Sequence, residues 1–88
     1  MIREKTIISN NLGLHARAAA KLVQTATQFR SKVTLTVGRM CADAKSILGV
    51  LTLAAGKDTH VCLETDGPDE REAADTILEL IRNGFGEE

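Results

Sequence analysis

Hydrophobic and polar residues change their period several times along the 88-residue chain, and each change marks an element. Residues 2–9 alternate as a strand, with Thr6 and Ile8 on one face. Asn10-Asn11-Leu12-Gly13 interrupts it with turn formers. From Ala16 to Phe29 the period lengthens, and Ala19, Leu22, Val23, Ala26 and Phe29 fall on one side of an amphipathic helix. Ser31–Val37 returns to alternation, with Val33, Leu35 and Val37 inward and Lys32, Thr34 and Thr36 outward. Gly38-Arg39 turns the chain into a short arm, Met40–Asp43, which closes a hairpin. Ser46 precedes the apolar run Ile47–Leu53, which reads as a short helix with Ser46 as its N-cap. After a loop from Ala54 to Asp58, Thr59, Val61, Leu63 and Thr65 alternate with His60, Cys62 and Glu64 as the last strand. Asp66-Gly67-Pro68 breaks it. The final helix opens on Asp69, Glu70 and Glu72, carboxylates suited to the positive end of a helix dipole. Its core stripe is Ala74, Ile77, Leu78 and Ile81; it stops at Asn83-Gly84, with Phe85 placed to close on Leu80 in a Schellman-type stop.

The order βαββαβα, with a hairpin joining two strand-helix-strand units, implies an α+β fold. One antiparallel sheet carries all helices on one face. With no repeat, no low-complexity tract and a single proline, residues 1–88 read as one domain.

Composition refines this picture. Alanine occupies eleven positions and the only aromatic residues are Phe29 and Phe85, so Leu, Ile and Val must build the core, with alanine at close contacts. A net charge of −1 gives no footprint for duplex nucleic acid or an anionic membrane. No apolar run approaches the roughly 18 residues of a membrane span, and Met1–Lys5 lacks the apolar start of a signal peptide. A cytoplasmic protein without membrane insertion is expected. Cys41 and Cys62 have no metal-ligand spacing and read as buried structural thiols, so no metal or cofactor is expected.

Little of the chain's potential chemistry survives inspection. Gly49–Lys57 has six residues between its glycines, where a phosphate loop has four, and Asp58 stands where Ser or Thr would bind magnesium. Asp69-Glu70 reads as a capping turn, Glu87-Glu88 as a solvated tail and His60 as a solvated strand residue. His15 is different. It lies where the glycine loop meets the first helix, beside the backbone N–H groups of Ala16 and Arg17 and the positive dipole end. The Arg17 guanidinium adds a fork that can grip a phosphate. An exposed capping histidine and a phosphate-accepting one both fit this position.

The run Leu12-Gly13-Leu14-His15-Ala16-Arg17 resembles the active-site segment of HPr, the histidine-containing phosphocarrier family of the bacterial phosphoenolpyruvate-dependent phosphotransferase system. Lys45-Ser46-Ile47-Leu48-Gly49-Val50 is similar to that family's regulatory serine segment, at the family's spacing. The resemblance implies an open-faced β-sandwich with a four-stranded antiparallel sheet and three helices. It implies that His15 accepts phosphate on Nδ1 from phosphorylated enzyme I and passes it to an enzyme IIA histidine, with Arg17 stabilising the phosphate alongside the backbone of Ala16 and Arg17. It further implies regulatory phosphorylation of Ser46 by HPr kinase/phosphorylase, and a docking surface of Ala20, Ile47, Leu48 and Leu51. The protein would be a monomeric, stoichiometric carrier, a substrate of enzymes and not itself an enzyme. Ala18 departs from the family's common proline, at a first-turn position where alanine is equally tolerated.

Three other readings are weighed against this one. An RNA-binding module would need aromatic residues on its sheet, and neither phenylalanine falls on a strand. An acyl-carrier-like domain attached through Ser46 would be all-helical. A regulatory HPr paralogue that feeds no sugar transporter has the same sequence signature.

Overall fold

The computed structural model describes residues 1–86, and the predicted tail carboxylates Glu87 and Glu88 lie outside them. Four strands, β1 (Ile2–Ile7), β2 (Lys32–Val37), β3 (Met40–Asp43) and β4 (His60–Asp66), form one antiparallel sheet in the order β1-β4-β2-β3. Three helices, α1 (Ala16–Ala26), α2 (Ile47–Thr52) and α3 (Glu70–Arg82), cover one face and leave the other open. The α+β layering is the one the element order implied, and the open-faced sandwich of four strands and three helices is the one the family resemblance implied.

The core lies between the sheet and the helices. Val33 and Leu35 of β2 and Val61, Leu63 and Thr65 of β4 face Leu22 of α1, Val50 of α2, and Ile77 and Ile81 of α3, all of them buried. The alanine-rich composition serves helix approach: Ala18, Ala19 and Ala26 of α1 and Ala73 and Ala74 of α3 are wholly buried. A residue ending at Cβ lets neighbouring backbones come close without a void.

Several boundaries differ from the sequence reading, each for a local reason. α1 ends at Ala26, although Phe29 continues its apolar phase. The N–H groups of Gln28 and Phe29 donate to Thr25 and Ala26 in the tighter i→i−3 pattern, and the Lys45 Nζ caps the Phe29 carbonyl at 2.8 Å. β1 ends at Ile7, yet Ile8 still bonds across the sheet end, to Thr59 and Asp58. α3 stops where expected, with Asn83 as its C-cap and Gly84 just beyond, and a 3-10 turn (Gly84–Gly86) follows. Gly84 and Phe85 both adopt left-handed backbone, and Phe85 goes into the core as its largest fully buried side chain.

The cysteines correct the sequence reading more sharply. Cys41 is exposed and Cys62 only half-buried, so neither is a core thiol. Both are in register with Thr36, one on each side, and the row therefore lies on the open face of the sheet. Alternation had already placed Cys62 outward between Val61 and Leu63, and period outranks the general tendency of cysteine to be buried.

Asp69 is the N-cap residue of α3, but its side chain caps nothing there. Instead its carboxylate reaches across to the start of β2, accepting from Ser31 Oγ and from the N–H groups of Arg30 and Ser31, both at 2.9 Å. The Ser31 hydroxyl first, and then the Arg30 amide, hold the Asp69 carboxyl at about 2, against an ordinary 3.8. The neighbouring Glu70 is also lowered, by the Gly67 amide and then the terminal ammonium. A carboxyl lowered on folding adds stability above its unfolded value and loses it as pH falls toward the folded one. The stability difference between wild type and Asp69→Asn is therefore expected to be full at pH 6 and to shrink from about pH 4 to pH 2. Urea midpoints across that range check this; a difference independent of pH contradicts it.

Candidate functional site

His15 is the N-cap of α1, with extended backbone at φ −74° and ψ 177°. Its ring turns back on the helix it starts, and Nδ1 accepts the Arg17 N–H at 3.3 Å. The His15 carbonyl accepts the Ala19 N–H at 2.8 Å and opens the helical ladder. At a helix start the Ala16 and Arg17 amides are both expected to be free. The Arg17 amide is occupied by the imidazole, while the Ala16 N–H, at the first helical position, has no intrahelical acceptor.

This contact has a chemical consequence. The tautomer that fits this contact has its proton on Nε2 and its lone pair on Nδ1. That lone pair sits at the positive end of α1, with the ring only half-buried. The Arg17 side chain is exposed beside it. A half-buried imidazole, the Ala16 and Arg17 amides and an exposed arginine thus share one helix terminus.

The approach to His15 is held by the loop after α2. Gly13, in left-handed backbone at φ +65°, lies so close to the loop after α2 that a Cβ there would stand 2.3 Å from the Ala55 carbonyl oxygen and 2.6 Å from Gly56 Cα. The Leu14 N–H donates to the Ala55 carbonyl at 2.8 Å. Ala54, at φ +50°, makes the left-handed turn out of α2 that leads into this contact. Gly13 was visible as a turn former, but its partner 42 positions along the chain leaves no trace in local pattern.

Ser46 is the N-cap of α2, as expected, and its Oγ accepts the Gly49 N–H at 3.1 Å. A Cβ at Gly49 would lie 3.3 Å from that hydroxyl oxygen, so the serine side chain would have to shift by a few tenths of an ångström to admit it. Ser46 is exposed, with Ile47 and Leu48 beside it at 45 % and 77 % exposure. Leu51 is half-buried and packs on the core, and Ala20 on α1 is also half-buried. α1 and α2 pack against each other. Leu12, at 71 % exposure, adds a large apolar side chain on the loop before His15 that the sequence reading did not single out. A leucine inside a run of turn formers, on neither periodic face, was the signal available. His60 is exposed, as read. Among the described residues no helix is long and apolar enough to cross a membrane.

The family model described as the phosphotransferase-system HPr component phosphorylation site matches residues 2–83. The phosphocarrier protein HPr of Cupriavidus necator is 56 % identical over 87 residues, covering 99 % of this chain and 98 % of its own. Among solved structures, HPr-C-His from Thermoanaerobacter tengcongensis superposes with a TM-score of 0.96 at 40 % identity, over 100 % of this chain and 99 % of that one. A structure described as an HPr dimer from the same organism has a TM-score of 0.79 at 39 % identity, over 99 % and 100 % of the two chains.

Proposed function

Because this chain belongs to the HPr family of phosphotransferase-system phosphocarriers, we propose that His15 is the residue that carries the phosphoryl group. The observation that carries this reading is the Arg17 N–H donated to His15 Nδ1, which turns that nitrogen toward the positive end of the helix. Phosphorylated enzyme I is the donor. As its bond to phosphorus breaks, the N–P bond to Nδ1 forms, and the donor group regains its electron pair. The Arg17 N–H, displaced from Nδ1, then donates to a phosphoryl oxygen, joined by the Ala16 N–H and the guanidinium. Phosphoryl transfer asks mainly for an aligned nucleophile and charge stabilisation, and this terminus supplies both. The half-exposed ring lets an enzyme IIA histidine take the group on in a second docking event at the same face. The carrier works as a monomeric single domain in the cytoplasm, and Ile47, Leu48, Leu51 and Ala20 form the docking surface.

Incubation with enzyme I and labelled phosphoenolpyruvate tests the reading. An acid-labile, base-stable phosphate on the protein is the expected product, and an absent or acid-stable label overturns it. In the same assay Arg17→Lys keeps the charge but loses the planar fork, and transfer is expected to slow.

Ser46 is the regulatory position, a substrate of HPr kinase/phosphorylase. A phosphate there adds a charge of about −1.5 to −2 beside the exposed Ile47 and Leu48. A partner burying those side chains must then desolvate that charge. Ser46→Asp is expected to raise the carrier concentration needed for half-maximal transfer from enzyme I, an effect that relaxes at high salt. Equal apparent affinity for Ser46→Asp and wild type would leave Ser46 only a helix cap.

A further inference from the structure

Asn10 is 3 % exposed, a buried amide on the loop that leads to His15. Burying such a group is costly unless it is hydrogen-bonded, so its bonds show what it is kept for. Its Nδ2 donates to the Gly13 carbonyl at 2.8 Å, and the Asn10 backbone carbonyl accepts the Gly13 N–H at 3.2 Å. The Gly13 carbonyl and the Leu14 N–H belong to one peptide group, and that N–H is held by the Ala55 carbonyl at 2.8 Å. A single peptide plane is therefore gripped at both ends, by the Asn10 side chain and by the loop after α2. Leu14, which follows it, is buried, and the next residue is His15. Asn10 is itself backed by the end of α3: a Cβ on Gly84 would touch the Asn10 Cβ at 3.4 Å, and the adjacent Ser9 hydroxyl donates to the Ile81 carbonyl at 3.3 Å.

We propose that Asn10 is a positioning residue for phosphoryl transfer, acting through the Gly13–Leu14 peptide to set the direction of the His15 ring. This rests on His15 being the phosphate acceptor. With both ends of the plane fixed and Leu14 sunk in the core, His15 leaves the loop in one direction, with Nδ1 under the Arg17 amide. Without the Asn10 donor the plane is held at one end only, and the ring samples orientations out of line with the donor. A misplacement of about 1 Å can cost on the order of 100-fold in rate. The docking residues Ile47 and Leu48 are on another element, so partner affinity stays.

Two variants separate this role from space filling. Asn10→Ala removes the side chain. Asn10→Asp keeps its shape but has no N–H, and it turns an acceptor toward the Gly13 carbonyl. Both are expected to slow transfer from enzyme I about tenfold or more while the apparent KM for enzyme I stays within about twofold. The His15 ring signals in nitrogen-15 NMR are expected to move in both. Wild-type kinetics in either variant, while folded, overturns the proposal. A measurement on the wild-type protein stands apart from variant folding: scalar coupling across the bond from Asn10 Nδ2 to the Gly13 carbonyl is expected, and its absence overturns the proposal. If wild type takes no label at all, the carrier reading fails by itself. The ring signals then decide the positioning role, and unmoved signals in Asn10→Asp overturn it.

Discussion

His15→Ala is expected to take no acid-labile label from phosphorylated enzyme I and to remain folded. The two halves of that expectation come from different magnitudes. The imidazole caps the Arg17 amide at 3.3 Å, and loss of a cap costs about 1 kcal/mol. Truncating a buried leucine such as Leu22 would cost about 2–5 kcal/mol. The cap is therefore a small part of what holds α1, whose buried face is formed by Ala18, Ala19, Leu22 and Ala26. The chemical loss is complete because the acceptor atom itself is gone. His60 is no substitute, since it stands on the open face of the sheet, away from the α1 terminus. Labelling and urea denaturation on the same preparation check both halves. Retained label on His15→Ala would move the carrier role to another residue.

Gly13→Ala has the second large effect, and it falls on stability and transfer together. Two costs combine. Alanine in left-handed backbone costs about 1–2 kcal/mol. The added Cβ would also stand 2.3 Å from the Ala55 oxygen, a backbone atom that cannot swing aside as a side-chain tip can. Relieving that overlap breaks the Leu14–Ala55 hydrogen bond and leaves buried groups unpaired, at about 1–3 kcal/mol more. The expected loss is about 2–5 kcal/mol in urea denaturation, a large share of a small domain's stability. Gly38→Ala is the matched control. Gly38 has a similar φ of +60°, but nothing lies within 4 Å of a Cβ built there. Its loss should be near the backbone cost alone, and equal losses at the two positions would refute the close-approach account.

The elements were legible in the sequence because their signals are local. Val33 and Leu35 alternate with threonines, and the Ala74, Ile77, Leu78 and Ile81 stripe keeps helical spacing, so period alone placed β2 and α3. Ser46 as the cap of α2 and His15 at the start of α1 were equally readable, each being one residue ahead of an apolar run. Tertiary partners were not readable. The Asp69 carboxylate looked like a helix cap and instead closes on Ser31, 38 residues earlier. The Gly13–Ala55 contact was hidden for the same reason, and with it the grip on the loop before His15. Phe29 kept the helical phase of α1 but lies past its end, because phase records which side a residue faces and not where the hydrogen bonds stop.

The row Cys62-Thr36-Cys41 has a practical consequence for anyone handling the protein. Strands flanking a common neighbour stand about 9.6 Å apart, and a disulfide requires Cα atoms within about 7 Å. The two thiols therefore cannot close on each other without breaking the sheet. When reductant runs out, a disulfide has to form outward, by air oxidation with a thiol of a second molecule or by exchange with glutathione disulfide. Covalent dimers and larger ladders on a non-reducing gel would then record storage conditions and not native assembly. Reagents attached at Cys41 and Cys62 would meanwhile mark the face that the helices leave open.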